Sequence, residues 1–340
     1  MAGSKPTHIK VIDIDSGEAV RTFPGHGKAI NDLAVSPLSS NIIASASEDY
    51  TIRLWNLDRK HAHQPCVAMF SGEGHKQPIL AIDFHPNGRW LLTGGLDTAV
   101  CLWAVPLLDE LNRAHLSGEE LAQHQDPKIV YYPHFHSTEV HHNYVDSLRF
   151  YGDLILSKAA RDMGSKNKKN EILLWKIEGF DPTLPPPSDP PIPAPDKYTR
   201  SSFPHQPRPA GFHRLLSFRI DHTDRFYHRF GLLHTTDMRP ILCMGTEQSK
   251  FYFWDLQDVE EGRVAQEEKG RRSGRGGKRS KAGPSEGGLN RLDGLRRAES
   301  VASESTAAGT GTGTGTAAGK STREFTSFSF PDFRGTRSSR

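Results

Sequence analysis

Apolar and polar residues alternate over short runs along most of this chain, and turn-forming residues separate the runs. Typical breaks are Ser36-Pro37, Asn87-Gly88 and Gly152-Asp153. Alternation with a period of two, bounded by Gly, Pro, Asp or Ser, predicts β-strands joined by tight turns. The chain is therefore predicted to be all-β, with four antiparallel strands in each repeated segment.

An internal repeat is the strongest signal in the sequence. Two copies each begin with a Gly-His pair, reach an Asp 22 or 23 residues after the His, and end with a Trp 6 residues after the Asp. These residues are His26, Asp49 and Trp55 in the first copy, and His75, Asp97 and Trp103 in the second. Two weaker copies end at Trp175 and Trp254. Self-similarity with a period of 49 residues from His to His predicts a repeat architecture.

The Gly-His pair, the Ser/Thr-x-x-x-Asp turn and the terminal Trp followed by Asp or Asn resemble the WD40 family of β-propellers. The resemblance implies a hydrogen-bonded network of a His, a Ser or Thr, an Asp and a Trp in each blade. Its members here would be His26, Ser45, Asp49, Trp55, His75, Thr93, Asp97 and Trp103, with His141, Trp175 and Trp254 in the weaker copies. Because buried polar groups are normally satisfied parts of the scaffold, and a catalytic triad would not recur at fixed spacing, we expect no catalytic residue and no enzyme activity.

Counting the repeats predicts an incomplete propeller. The propeller domain would span 1–256, with units at 8–23 (partial), 25–57, 74–105, 141–177 and 211–256. The other segments would be inter-blade insertions at 104–140 and 178–210, a disordered basic, Gly- and Thr-rich linker at 257–323, and the first strand of a further blade at 324–334. Propellers need closure to remove their strand edges, and these units cannot close a seven-bladed ring. We therefore expect a fragment, in preference to a chain whose open edges are covered by a partner.

Two stretches outside the repeat pattern narrow the resemblance. The segments 141–146 (His-His-Asn-Tyr-Val-Asp) and 152–158 (Gly-Asp-Leu-Ile-Leu-Ser-Lys) are similar to the embryonic ectoderm development / extra sex combs family, the WD40 subunit of Polycomb repressive complex 2 (PRC2). The resemblance covers residues 2–256. It implies a nuclear, non-catalytic chromatin scaffold for transcription repression, which binds a SET-domain histone methyltransferase and the trimethylated lysine of a histone H3 tail. The alternative is a generic WD40 adaptor, such as a ubiquitin-ligase substrate receptor.

Alignment of the repeats indicates a candidate ligand site. With Phe150 and Phe230 placed level, Phe226 and Tyr227 stand where the sibling repeats have small, polar or aliphatic residues. The resemblance implies that this pair is half of an aromatic cage for methyl-lysine, whose other two rings belong to blades absent here. Ring faces hold a quaternary ammonium by cation–π attraction. Packing of the strand entry against a neighbouring blade is the alternative explanation.

Charge and cysteine content set further limits. The net charge is +3, but residues 257–323 hold 13 Lys and Arg against 9 Asp and Glu, which leaves 30 basic and 31 acidic residues elsewhere. Generic attraction to nucleic acid must therefore come from that segment, where the basic stretch 271–281 fits a nuclear-localisation signal, a weak nucleic-acid contact or a soluble linker equally well.

Metals, cofactors and membranes are not expected. Cys66, Cys101 and Cys243 lie far apart, which excludes a disulfide framework and a cysteine zinc site. The histidines between residues 134 and 142 have no recurring acidic or Cys partner, and zinc needs three or four ligands in a defined geometry. The chain also lacks the run of about 18 apolar residues that a transmembrane helix requires.

Overall fold

The computed structural model describes residues 7–106, 126–159, 170–194, 197–204, 211–220, 222–224, 228–235, 237–262 and 324–325. In these residues the regular secondary structure is almost entirely β-strand, with one 3₁₀ turn (Arg59–His61) and one short helix, α1 (Leu256–Glu260). None of the helical segments described is long and apolar enough to span a membrane. The all-β prediction is confirmed.

The strands of the described residues form five sheets. An antiparallel pair, the hairpin sheet, consists of β1 (Ile9–Ile12) and β2 (Ala19–Phe23). Sheet 1 contains β3 (Ile30–Ser36), β4 (Ser39–Ser47), β5 (Ile52–Asn56), β6 (Cys66–Phe70) and β10 (Lys128–Val130). Sheet 2 contains β7 (Ile79–Phe84), β8 (Trp90–Gly95), β9 (Val100–Ala104), β11 (Phe135–Ser137) and β15 (Thr199–Ser201). Sheet 3 contains β12 (Val145–Tyr151), β13 (Leu154–Ala159), β14 (Glu171–Ile177), β16 (Phe212–Arg219) and β20 (Glu324–Phe325). Sheet 4 contains β17 (Gly231–Leu233), β18 (Ile241–Gly245) and β19 (Phe251–Asp255).

The chain divides into two compact units. The first comprises residues 1–230 with 244–251 and 322–327, and it carries the hairpin sheet and sheets 1 to 3. The second comprises residues 231–243, 252–321 and 328–340, and it includes β17, most of β18 and β19, and α1. In the second unit Leu242, Trp254, Leu256 and Val259 are buried.

The core of the first unit lies between successive sheets. One apolar cluster joins Leu54 and Phe70 of sheet 1 to Ile82 and Trp103 of sheet 2. A second cluster joins sheet 2 to sheet 3 in the same way. Both faces of sheet 2 are thus covered, so that every residue of β8 is buried, and so is every residue of β7 except Asp83. This explains why the sequence of these strands is nearly continuously apolar rather than alternating.

The boundaries of the repeat units in the sequence differ from those of the sheets in the structure by one strand. Each of sheets 1 to 3 takes its fourth strand, β6, β11 or β16, from residues beyond the Trp that ends the repeat. The expected units 25–57, 74–105 and 141–177 therefore hold only three strands of their sheets. β16 lies inside the expected unit 211–256 but pairs with β14 of sheet 3. The segments 104–140 and 178–210 are likewise not plain insertions, because β11 and β15 come from them.

A fifth strand borders the outer edge of each complete sheet. β10 pairs in parallel with β6, β15 pairs antiparallel with β11, and β20 pairs in parallel with β16. Each added strand has two or three residues, so backbone hydrogen bonds, rather than an apolar pattern, hold it in place. Covering an edge in this way removes a template for aggregation. The segment 324–334, expected to begin a further blade, contributes its first two residues to sheet 3.

α1 occupies the first residues of the segment 257–323, which is expected to be disordered. The Asp255 carboxylate accepts hydrogen bonds from the backbone N–H groups of Gln257 and Asp258, and it therefore caps the helix N-terminus. The described part of that segment, up to Gly262, is helix and turn. The basic stretch 271–281 lies outside the described residues.

The close approach of β8 to β12 predicts a strong effect of adding one methyl group. A Cβ on Gly94 would lie 2.7 Å from Val145 Cγ1 and 2.9 Å from Leu148 Cδ2. We expect Gly94→Ala to lower the free energy of unfolding by about 1–3 kcal/mol, the usual cost of overpacking, in urea titrations.

Gly27→Ala is the matched control. A Cβ there would lie 3.9 Å from the nearest heavy atom, Asp49 Cβ. Equal destabilisation by the two substitutions would contradict the close packing of sheets 2 and 3.

Candidate functional site

The first polar cluster is a chain of hydrogen bonds among buried side chains of sheet 1 and the loop before β3. Trp55 Nε1–H donates to Ser45 Oγ at 2.7 Å. Ser45 Oγ lies 2.6 Å from His26 Nε2, and His26 Nδ1 lies 2.8 Å from Asp49 Oδ2. Because an indole can only donate and a carboxylate can only accept, Trp55 donates to Ser45 and His26 donates to Asp49. Each side chain of the cluster thus has a hydrogen-bond partner within it.

Equivalent clusters occur in the next two sheets. In the second, Thr93 Oγ1 accepts from Trp103 Nε1 at 3.0 Å and lies 2.8 Å from His75 Nε2, while His75 Nδ1 lies 3.0 Å from Asp97 Oδ1. In the third, Ser157 Oγ accepts from Trp175 Nε1 at 2.8 Å and lies 2.7 Å from His141 Nε2. No carboxylate among the described residues binds His141. Trp254 of sheet 4 is buried.

The Asp residues of the first two clusters also hold a turn. Asp49 accepts hydrogen bonds from the backbone N–H of Gly27 and of Thr51, at 2.9 and 3.0 Å. Burial alone would raise the pKa of Asp49, but the hydrogen bonds from His26, Thr51 and Gly27 hold the pKa well below its ordinary value. The carboxylate therefore stays charged and fixes the turn between the second and third strands.

The pKa values of two of these histidines are shifted in opposite directions. Burial lowers the pKa of His75, but Cys101 and Asp97 beside it raise the pKa well above the ordinary value. Burial lowers the pKa of His141 to about 3, helped by the nearby positive charges of Arg214 and Lys158. His141 is thus a neutral residue of the core.

The glycine of the Gly-His pair is required by the indole of the same cluster. A Cβ on Gly74 would lie 2.3 Å from Trp103 Cη2, and one on Gly25 would lie 2.9 Å from Trp55 Cη2. The Trp ring therefore rests directly on the backbone before the His. This contact explains the pairing of Gly-His with a distant Trp in the sequence.

Arg229 hydrogen-bonds to residues at the starts of β3 and β7, the first strands of sheets 1 and 2. Its Nη1 donates to Asp32 Oδ1 at 2.7 Å, and its Nη2 donates to Leu80 O at 2.7 Å and to Asn31 O at 3.2 Å. Asp32 itself accepts from Ile82 N at 3.0 Å, which ties β3 to β7. The chain just before Phe230 is therefore held against the entries of β3 and β7.

Other charged groups, on β7, β12 and β13, are buried or half-buried. Lys158 Nζ lies 3.2 Å from Asp146 Oδ1, and both side chains are excluded from solvent, at 1% and 0% exposure. Burial raises the pKa of Asp146, against the opposing effect of Lys158. Burial also raises the pKa of Asp83 to about 6, although Arg149 and the N–H of Phe150 favour its charged form. These strands thus carry charged groups in pairs, Lys158 with Asp146 and Arg149 with Asp83, in a largely apolar setting.

Phe226 and Tyr227, the expected cage pair, lie outside the described residues. Arg229, two residues further along the chain, is described, and its guanidinium is held by Asp32 and by two backbone carbonyls. The sequence did not single out Arg229, because the contacts of its side chain are with residues far away in the sequence. Asp146 and Lys158 belong to the two segments that carry the family resemblance, 141–146 and 152–158. The sequence signal that could have indicated Asp146 and Lys158 is a charged residue inside an otherwise apolar strand.

Comparison with known proteins places the chain among repeat proteins. The family model for the WD domain, G-beta repeat, matches residues 17–56 and 64–104. The Polycomb protein EED of Chaetomium thermophilum is 44% identical over 257 residues, which are 73% of this chain and 42% of that protein. The Polycomb protein esc of Drosophila virilis is 29% identical over 253 residues, 73% of this chain and 52% of that protein.

Solved structures give the same result. A chain in the crystal structure of the Chaetomium thermophilum PRC2 matches with a TM-score of 0.66 and 39% identity, over 79% of this chain and 54% of that chain. A structure of ctPRC2 in complex with H3K27me3 and H3K27M also matches with a TM-score of 0.66, at 40% identity, over 79% of this chain and 54% of that chain. The chain spans about half the length of the relatives that it matches.

Removal of one cluster hydroxyl is expected to be costly. Ser45→Ala leaves the Trp55 indole N–H and the His26 Nε2 buried without their partner. Each such group costs about 1–3 kcal/mol, so we expect a loss of about 2–4 kcal/mol in the free energy of unfolding, measured by urea titration. Ser40→Ala, at an exposed position of the same strand, is the control and should change stability little. A Ser45→Ala variant as stable as the control would show that the cluster contributes nothing.

The buried neutral His141 predicts acid sensitivity. Because its folded pKa of about 3 lies below the ordinary value of 6.5, the unfolded chain takes up the proton first as pH falls. This residue therefore makes the protein less stable as pH drops below 6.5. We expect His141→Gln to reduce the slope of unfolding free energy against pH by about 1.4 kcal/mol per unit between about pH 6 and 4.

The comparison is made by chemical denaturation at several pH values. His63→Gln, at an exposed histidine, is the control and should keep the slope of the unaltered protein. An unchanged slope in His141→Gln would mean that His141 is protonated in the folded state.

Proposed function

We propose, from the chain's membership of the WD40-repeat family of the Polycomb proteins EED and extra sex combs, that it is a non-catalytic scaffold and histone-tail reader. In this proposal it belongs to a nuclear, Polycomb-type histone H3 lysine methyltransferase complex that acts in gene silencing. It binds a SET-domain methyltransferase subunit and a trimethyl-lysine of histone H3. Support comes from relatives that are named Polycomb proteins and from matching chains in PRC2 structures, one of them in complex with H3K27me3.

In the proposed reader site, Phe226 and Tyr227 supply the ring faces that receive the methylated ammonium. A trimethylated lysine has no N–H to donate, so cation–π attraction and apolar contact must hold it. The observation that supports this placement is the anchoring of Arg229 to Asp32 and to Leu80 O. This anchor holds the end of the 226–229 segment beside the entries of β3 and β7, where the sibling repeats offer no aromatic pair.

The scaffold role follows from the nature of the polar clusters. Their histidines, hydroxyls and carboxylates are already engaged with one another, so these groups are occupied in holding turns and strands. A rigid platform of this kind suits the binding of other proteins through its surface, which is a common use of repeat architectures.

A peptide titration of the full chain tests the reader role. Fluorescence anisotropy would compare a histone H3 peptide carrying a trimethyl-lysine with the unmodified peptide. Because a cation–π contact contributes about 0.5–1 kcal/mol, we expect the trimethylated peptide to bind about twofold to fivefold more tightly. Phe226→Ala combined with Tyr227→Ala should abolish that preference.

Tyr198→Ala, which removes an aromatic ring that is 67% exposed elsewhere in the chain, is the matched control and should keep the preference. Equal affinity for the two peptides, unaffected by the double substitution, would remove the reader role. Affinity capture that returns ubiquitin-ligase subunits and no SET-domain methyltransferase would instead favour a generic adaptor.

A further inference from the structure

Residues 181–202 form a loop, here called the proline loop, that is closed at its base by aromatic contacts. It leaves sheet 3 after β14, contributes β15 to sheet 2, and the chain then continues to β16 of sheet 3. The rings of Phe180 and Phe203, on either side of the loop, have centroids 5.2 Å apart. Both rings also pack on the buried Trp90, at 5.3 and 5.5 Å. The loop is therefore fixed to the body of the first unit at its base.

Both arms of the proline loop are attached to sheet 2 or to its turns. In the first arm, the Asp181 carboxylate accepts from the backbone N–H of Thr183 at 2.9 Å. Asn87 Nδ2 donates to Pro182 O at 2.9 Å, and Pro182 is buried. In the second arm, β15 pairs with β11 of sheet 2. The tip between the arms, residues 184–194, is consequently held at both ends.

The tip has the composition of a preformed extended ligand. Six of the nine residues from 185 to 193 are proline. Proline fixes φ near −65°, removes the N–H donor and keeps the preceding residue out of the helical region, which together favour a polyproline II conformation. The described structure has neither helix nor strand here, and no backbone hydrogen bond between described residues involves 185–193. Little conformational entropy remains to be lost when such a segment binds.

The tip exposes aliphatic side chains between its prolines. Ile192 is 76% exposed and Leu184 is 58% exposed, and each of them has a proline beside it. A spacer between two anchored arms has no need of large apolar side chains. A proline-recognition domain does use them, because its aromatic-lined groove receives prolines and a neighbouring aliphatic residue.

The negative charge of the proline loop indicates which charge the rim of a partner's groove should carry. Residues 181–196 contain Asp181, Asp189 and Asp196 and no Lys, Arg or His. An acidic groove rim would repel this segment, whereas a rim with Lys or Arg would attract it and speed association.

We propose that the tip of the proline loop is a docking ligand for a WW-type domain whose aromatic-lined groove has a basic rim. Pro190-Pro191-Ile192-Pro193 occupies the groove, with Ile192 between the prolines, and Asp189 faces the rim. The proposal uses no residue of the polar clusters and none of 226–229, so its test is independent of histone reading.

The test is a titration of the full chain, by isothermal calorimetry, with a purified WW domain that binds Pro-Pro-Leu-Pro peptides and carries Lys or Arg beside its groove. We expect saturable one-to-one binding. Pro191→Ala combined with Pro193→Ala should weaken it by about tenfold or more, because the extended conformation and the ring contacts are both lost. Asp189→Asn should weaken binding less and should reduce its dependence on salt.

Two controls accompany the titration. Pro37→Ala, in the exposed turn between β3 and β4, should bind like the unaltered chain. Thermal unfolding followed by circular dichroism should be nearly the same for all variants, since Asp189 is exposed and Pro191 and Pro193 are only half-buried. An absence of saturable binding up to about 1 mM WW domain would overturn the proposal. Equal affinity of the double variant, or tighter binding to an acid-rimmed SH3 domain than to the WW domain, would overturn it as well.

Discussion

A buried hydroxyl that joins an indole to an imidazole organises each of the three complete sheets. Ser45, Thr93 and Ser157 are all fully buried, and each accepts from a Trp N–H while it contacts a His ring nitrogen. One short side chain thereby satisfies two groups that would be costly to bury alone. It also fixes three parts of the chain relative to one another: the second strand of the sheet, the third strand, and the loop before the first strand.

The position of that loop determines which groups lie at the N-terminal end of the first strand of each sheet. The His of each cluster lies a few residues before β3, β7 or β12, so the cluster sets where these strands begin. Arg229 then uses the entries of β3 and β7 as its anchor, through the Asp32 carboxylate and the Leu80 carbonyl. The position of Arg229 thus depends on turns that polar groups in other repeats hold in place.

The sequence predicted the features that repeat and missed those that do not. The strands that contain Trp55, Trp103 and Trp175 follow from period-two alternation and from the constant spacing of the polar residues. The fourth strand β11, Phe-His-Ser, has too short a pattern to be recognised, and the fifth strands β10, β15 and β20 are held by backbone pairing that any sequence can supply. Arg229 was missed because the direction of a long side chain depends on contacts 149 to 198 residues away in sequence.

Hydrogen exchange of the indole N–H groups, followed by NMR, tests the central role of the clusters most directly. If the hydroxyl bonds hold the sheets together, the indole protons of Trp55, Trp103 and Trp175 should exchange only through unfolding of their sheets, with protection near that of the central strand amides. Exchange as fast as that of exposed loop amides would show that the clusters open freely, and it would contradict the account.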